Sequence, residues 1–196
     1  MRRLIESTFV TLGGDISAPQ DWGAPYLAGP EIDAILHDLL FGADALLLGR
    51  RTYEGLSAAY LGMAGQPGPD ADFVSRMNGI AKFVASRTLT SLTWNATLLG
   101  ADVAASVAEL KQQPGSYLVK YGTGPLDAVL AEHKLVDEYR LWLIPVTDQP
   151  GQRLFGDLAP TPLRLTGTQS FSSGVVLLTY APADAGVPAT ASRRAS

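Results

Sequence analysis

Leu46-Leu47-Leu48-Gly49-Arg50-Arg51-Thr52-Tyr53-Glu54 is the stretch whose reading decides the fold. Three consecutive leucines read as a buried strand. Gly49 ends the run, and a residue without a side chain lets the backbone turn or a ligand come close. Two arginines and a threonine follow, where a helix begins. The first turn of a helix carries free N–H groups and the positive end of its dipole, which suits phosphate. Arginine adds forked donors that match phosphate oxygens. Gly49, Arg50, Arg51 and Thr52 are therefore a candidate anion grip. The plain alternative is a buried strand followed by a surface helix with solvated arginines.

Two further strand ends carry similar chemistry. Lys82-Phe83-Val84-Ala85 reads as a strand that ends in the polar pair Ser86-Arg87. Tyr117-Leu118-Val119 reads as another, followed directly by Gly122-Thr123-Gly124-Pro125. The two glycines would let a phosphate reach backbone N–H groups, and Pro125 fits a first helical position that needs no donor. As a dinucleotide fingerprint this turn is incomplete. Asp127 stands where a third glycine belongs, and the turn comes late in the chain. A plain Rossmann fold is rejected on that ground. The alternative for this turn is a tight connection that binds nothing.

The remaining chain fills in around these junctions. Leu4 to Thr11 reads as a first strand, broken at Leu12-Gly13-Gly14-Asp15-Ile16. A long loop with Trp22 and Tyr26 follows, and loops of such length are commonly lids or ligand-binding segments. Glu31 to Phe41 has helical apolar spacing at Ile32, Ile35, Leu36, Leu39 and Leu40, with Pro30 before it and Gly42 after it. Thr52 to Tyr60 reads as a short helix, Gly62 to Asp72 as a loop, and Asp72 to Asn78 as one or two helical turns. Ala96 to Leu99 is a short strand. Asp102 to Gln112 and Leu126 to His133 are helices, and Leu135 to Pro145 contains a strand. Leu163 to Ser170 and Gly174 to Tyr180 read as a closing antiparallel hairpin. Residues 181–196 are rich in Ala, Pro, Gly, Thr and Ser and are expected to form a flexible tail.

Composition narrows the class. The chain has 196 residues, enough for one domain with a tail, and its 46% hydrophobic content supplies a core. A formal net charge of -4 gives no electrostatic footprint for nucleic acid. There is no cysteine, which removes disulfides, thiol nucleophiles and thiolate metal sites. His37 and His133 are the only histidines and do not have metal-ligand spacing. Gly55-Leu56-Ser57-Ala58-Ala59 lacks the final glycine of a nucleophile elbow and lies within a helix. No apolar run reaches the ~18 residues of a membrane span, and the N-terminus lacks a signal-peptide core. The expectation is a cytoplasmic protein with no metal, membrane or nucleic-acid partner.

Taken together, these motifs resemble the dihydrofolate-reductase-like superfamily over roughly residues 1–180. Gly49-Arg50-Arg51-Thr52-Tyr53-Glu54 resembles its Gly-Arg-x-Thr-(aromatic)-Glu motif. Val136-Asp137-Glu138, the strand ending at Pro145, and Arg153-Leu154-Phe155 are closer to the reductase domain of riboflavin biosynthesis. The resemblance implies a three-layer α/β/α fold with a mixed, mainly parallel sheet and a C-terminal antiparallel hairpin. It further implies an NADPH-dependent reductase that passes hydride to a flat heterocycle, of pyrimidine or pterin type. Arg50 and Thr52 would then touch the cofactor phosphates, with Gly49 and Arg51 beside them. Ser86 and Arg87 would read the adenosine 2′-phosphate, a usual basis for choosing NADP over NAD. Gly122, Thr123 and Gly124 would hold the pyrophosphate. Ile16 and Trp22 would belong to the lid over nicotinamide and substrate. Asp33 lies at the same distance from the motif arginine as the substrate-gripping acid of bacterial dihydrofolate reductases. It would sit buried against the substrate ring or help deliver a proton. The plain alternative is a helix-start acid placed for the dipole.

The chain departs from the family at two places. Thr11-Leu12-Gly13-Gly14 replaces Ser-Leu-Asp-Gly, and Val146 to Gln152 replaces a glycine-rich turn that shapes the substrate pocket. Two other function classes stay open: a non-catalytic small-molecule-binding protein on the same fold, and a flavin-binding protein. Homodimerisation is an expectation from the family alone.

Overall fold

The computed structural model describes residues 1–147, 151–156 and 158–183, and strand alternates with helix through most of them. β1 (Arg3–Thr11) leads through two short helices, α1 (Pro19–Trp22) and α2 (Ala24–Leu27), into α3 (Pro30–Phe41). β2 (Ala43–Gly49), α4 (Arg50–Gly62), α5 (Ala71–Gly79), β3 (Ala81–Ala85) and β4 (Ala96–Leu98) follow. Then come α6 (Val103–Gln112), β5 (Tyr117–Tyr121), α7 (Pro125–Glu132), β6 (Glu138–Ile144), β7 (Leu163–Ser170) and β8 (Val176–Pro182).

The leucine run lies in β2, and all three leucines are fully buried. Successive strand side chains point to opposite faces. Leu46 and Leu48 therefore pack in one layer with Leu39 and Leu40 of α3, Tyr53 of α4 and Met77 of α5. Leu47 packs in the other with Ala104, Val107 and Leu110 of α6 and Leu130 of α7. A strand buried on both faces has no polar side to alternate with, hence three apolar residues in succession. A third cluster, built on Trp142, Ile144, Phe171, Val175 and Ile32, is covered by Trp22, Tyr26 and Leu27. The Trp142 indole N–H donates to Ser7 Oγ at 3.1 Å across the β1–β6 boundary.

The eight strands form one sheet in the order β4-β3-β2-β5-β1-β6-β8-β7. The first six are parallel neighbours, and β8 runs antiparallel to both β6 and β7. This is the three-layer α/β/α fold with a mainly parallel sheet and a closing hairpin. Because the six strands are parallel, their C-terminal ends share one edge. In open α/β sheets that edge is where ligands bind, at the point where the strand order reverses. Here the reversal lies around β5 and β1.

The elements differ from expectation at several ends. The helix expected from Thr52 starts at Arg50, so both arginines lie in its first turn. The one or two turns expected after Asp72 are a nine-residue helix. The long loop after β1 contains α1 and α2, each a single turn. β8 continues through Pro182, and the Ala183 N–H donates to Pro162 O at 3.0 Å, so the first three residues expected in the tail are ordered. The rest of that tail, 184–196, lies outside the described residues, as do 148–150 of the loop that departs from the family. No helix among the described residues is long and apolar enough to cross a membrane.

Candidate functional site

The start of α4 is open. Gly49 is its N-cap with ordinary extended backbone (φ -77), no side chain caps the helix, and its first turn has no acidic residue. The N–H groups of a first turn have no intrahelical acceptor, so they face outward as donors. A Cβ built on Gly49 would meet no atom within 4 Å. Gly49 is therefore not required by strain or by internal packing. It leaves room that another residue's side chain would fill. Arg51 is exposed and forms no ion pair among the described residues. Arg50 bonds Glu54 at 2.8 Å and donates to Thr88 Oγ1 at 2.7 Å. Both contacts are exposed, so each contributes at most about 1 kcal/mol.

Register brings the second strand end alongside. Gly49 pairs with Ala85 in β3, so Arg50 and Ser86 leave the sheet side by side. Ser86 Oγ accepts the N–H groups of Thr88 and Leu89 at 3.2 and 3.1 Å, which shapes the turn. Arg87 is exposed and, like Arg51, forms no ion pair among the described residues.

The third strand end meets the first from the opposite side, because β2 also pairs with β5. Gly122 has φ +68, a conformation that costs an ordinary residue roughly 1–2 kcal/mol. A Cβ on Gly122 would lie 3.4 Å from the Thr52 hydroxyl oxygen. The two turns thus approach each other closely, with room for about a methyl group between Gly122 and Thr52. Thr123 Oγ1 is buried without a hydrogen-bond partner among the described residues. The N–H groups here are already partly used. Gly122 N–H donates to Ser7 O at 3.2 Å, and Gly124 N–H donates to the Asp127 carboxylate. Asp127, which displaced the third glycine of a fingerprint, caps its own helix.

Beneath this turn lies a buried charge cluster that the sequence reading passed over. Glu6, Lys120 and Asp127 are 0%, 2% and 5% exposed. Lys120 Nζ lies 2.5 Å from Asp127 Oδ1 and 3.5 Å from Glu6 Oε2, and it donates to the Gly122 carbonyl. Burial pushes the Glu6 carboxyl up to about 8, against the pull of Lys120 and with a further push from Asp127. Burial also raises the Tyr139 hydroxyl, helped by the same two carboxylates.

The loop after β1 is tied down at its base. Ser17 donates from its backbone and its hydroxyl to Asp15 at 3.1 and 2.8 Å. The Trp22 indole donates to Ser17 O at 2.8 Å, which holds the ring against the Trp142 cluster. Ile16 N–H donates to Gln152 O at 2.9 Å, and Asp15 bridges to Arg153. Asp15 thus anchors the loop after β1 and directly follows the Leu12-Gly13-Gly14 turn. Asp33 lies in the first turn of α3, close to this edge, but it is exposed rather than buried. The buried side chain of that turn is its neighbour Ile32. A helix-start aspartate facing water satisfies the dipole without leaving a charge unpaired in the core.

The structure therefore brings Gly49, Arg50, Arg51, Thr52, Ser86, Arg87 and Gly122 to Gly124 to one edge, with Ile16, Trp22 and Asp33 beyond β1. Thr88 and Glu54 join them. Glu54 is readable as an i, i+4 partner of Arg50. Thr88 depends on the β2–β3 register. An apolar hollow is lined by Tyr139, Phe155, Leu158 and Leu163, and none of the residues gathered at this edge lines it.

Residues 2–177 match the profile of the RibD C-terminal domain. The chain is 30% identical over 183 residues to YyaP, an uncharacterised protein of Bacillus subtilis, covering 91% of this chain and 94% of YyaP. Its fold is similar to that of a Shewanella sp. PV-4 protein provisionally named for riboflavin biosynthesis, with TM-score 0.71, 18% identity, and 92% and 99% of the two chains covered. It is also similar to dihydrofolate reductase from Enterococcus faecalis, solved with NADP(H), with TM-score 0.58, 15% identity, and 93% and 97% covered.

Proposed function

The chain belongs to the RibD C-terminal domain family, and from that premise we propose that it is an NADPH-dependent reductase of a flat heterocycle. The preferred substrate is a pyrimidine of the riboflavin-pathway kind, and the next is a pterin. The observation that supports this most is the meeting of two strand-to-helix turns. An uncapped, doubly basic helix start lies against a positive-φ glycine turn, with Thr52 and Gly122 nearly in contact.

In this reading the first-turn N–H groups of α4, with Arg51 and Thr52, hold phosphate oxygens. Arg50 does so after exchanging its exposed contacts with Glu54 and Thr88. Ser86 and Arg87 take the 2′-phosphate. Thr123, whose buried hydroxyl has no partner among the described residues, contributes a donor from the opposite turn. Ile16 and Trp22 cover the reacting rings and exclude water, which strengthens every electrostatic contact inside. Asp33 closes on the substrate from the start of α3. Bound there, the nicotinamide would supply the hydride, and the chain supplies orientation and dryness.

The test is thermal. Melting is measured with NADPH, with NADH and with neither. A ligand that binds only the folded chain stabilises it by about 2.7 kcal/mol at a hundredfold excess over its dissociation constant. A rise with NADPH alone, followed by NADPH oxidation with a pyrimidine or pterin, is the expected result. No rise with either up to millimolar overturns the reading. Binding without oxidation across pyrimidines, pterins and quinones would leave a non-catalytic binder, and a yellow purified protein would point to flavin.

A further inference from the structure

We propose that Glu6, Lys120 and Asp127 form a buried, proton-controlled latch that sets the Gly122–Thr123–Gly124 turn for nucleotide binding. This deepens the reductase reading and rests on it.

The geometry is reciprocal. Lys120 donates to the Gly122 carbonyl at one side of the turn, and Asp127 accepts from Gly124 N–H at the other. Lys120 and Asp127 are themselves joined at 2.5 Å. The turn is thus held from below at both glycines, and the Thr123 hydroxyl between them has no hydrogen-bond partner among the described residues. Lys120 and Asp127 are positioning residues: they act on the ligand only through the turn.

Glu6 makes the latch sensitive to protons. It stands directly opposite Lys120 in the β1–β5 register. The cluster has one cation and two carboxylates, in a place water does not reach. Two buried carboxylates sharing one ammonium cannot both stay ionised at ordinary cost. Asp127 has the short contact with Lys120 and the Gly124 N–H. Glu6 Oε2 lies farther from Lys120, at 3.5 Å, and its other neighbour is the Asp127 carboxylate, with which a protonated Glu6 shares a hydrogen bond. Glu6 is therefore the protonated member, in keeping with its carboxyl being pushed up to about 8. The titratable or charged groups facing it are Lys120 from β5, Asp127 from α7 and Tyr139 from β6. On the same side α6 presents Ala104, Val107 and Leu110, while its Lys111 is committed to Asp137 and the Leu135 carbonyl. When Glu6 loses its proton, it competes for Lys120 and loosens the hold on Gly122.

The experiment is NADPH affinity against pH, by fluorescence, for wild type, Glu6→Gln and Glu6→Met. Methionine has similar volume and serves where the amide does not fit. Expected for wild type is a dissociation constant that rises about tenfold between pH 7 and pH 9.5, about 1.4 kcal/mol. Both variants should be flat over that range. A purely structural Glu6 would change the melting temperature but not the shape of this profile. Equal profiles in wild type and variants, with NADPH bound, overturn the latch and leave the reductase reading standing. No NADPH binding at any pH overturns both. Lys120→Met should weaken NADPH in KM with kcat kept, and Lys120→Arg should restore part of the loss. Loss in kcat alone counts against a positioning role.

Discussion

Two helix starts face each other at the same sheet edge, and they are built in opposite ways. α4 begins uncapped, with two arginines and no acid in its first turn. α7 begins with Pro125, and its Asp127 carboxylate takes the Gly124 N–H while pairing with buried Lys120. One terminus has unspent donors and positive charge. The other has satisfied its own dipole from inside. A helix N-terminus thus says nothing about ligand binding until its donors are accounted for. The open start is suited to gripping an anion, and the closed one to presenting a rigid turn.

The contrast can be broken most strongly at Asp127. Asp127→Ala removes the nearer partner of buried Lys120 and the acceptor of the Gly124 N–H, leaving only Glu6 at 3.5 Å, and unfolding by urea should show a loss of about 3 kcal/mol. If the loss is under about 1 kcal/mol, the cluster is not a buried ion pair in solution. The mirror change at the open start is Arg51→Glu. An acid in a first turn favours the helix by about 0.3–1 kcal/mol, so stability should hold or rise slightly. NADPH affinity should nevertheless fall about a hundredfold, near 2.7 kcal/mol. Stability and affinity moving together would contradict the assignment of α4 as the anion grip.

The two glycines sharpen the same comparison at smaller scale. Gly122→Ala must adopt φ +68 and should cost about 1–2 kcal/mol of stability. Gly49→Ala meets nothing within 4 Å at ordinary φ, so it should leave denaturation unchanged while weakening NADPH about tenfold. Equal affinity would mean that no ligand approaches Gly49.

The last contrast is in pH. Glu6 has a folded value raised to about 8, above its unfolded carboxylate range. Its contribution to stability is full below that range and is lost as pH rises through about 8. Wild type should lose stability across this window, and Glu6→Gln should lose less. Arg51 lies outside the buried cluster, so Arg51→Glu should keep the wild-type slope.

Much of the fold was legible because each element announces itself locally. The leucine run, the spacing of Ile32, Ile35, Leu36, Leu39 and Leu40, and the proline before α3 each depend on neighbours a few residues away. The glycines after β2 and β5 marked the strand ends that later met. Glu6 and Lys120 left a fainter signal, a charge inside each of two apolar strands. Their meaning was hidden because they are 114 positions apart, and only pairing of β1 with β5 sets them face to face. Asp33 shows the converse: a matched length along the chain fixed its place at the start of α3 but not the direction of its side chain, which is exposed instead of buried.

The sequence by itself determined the alternation of strand and helix, the glycine at each strand end and the basic start of α4, since periodicity and turn chemistry are local. Only the tertiary structure decided that β2 lies between β3 and β5. That order sets Gly49 beside Ala85 and Thr52 beside Gly122, and it closes α7 with its own carboxylate. Strand neighbours are chosen by which apolar faces bury together, and that choice is made between segments distant in the chain.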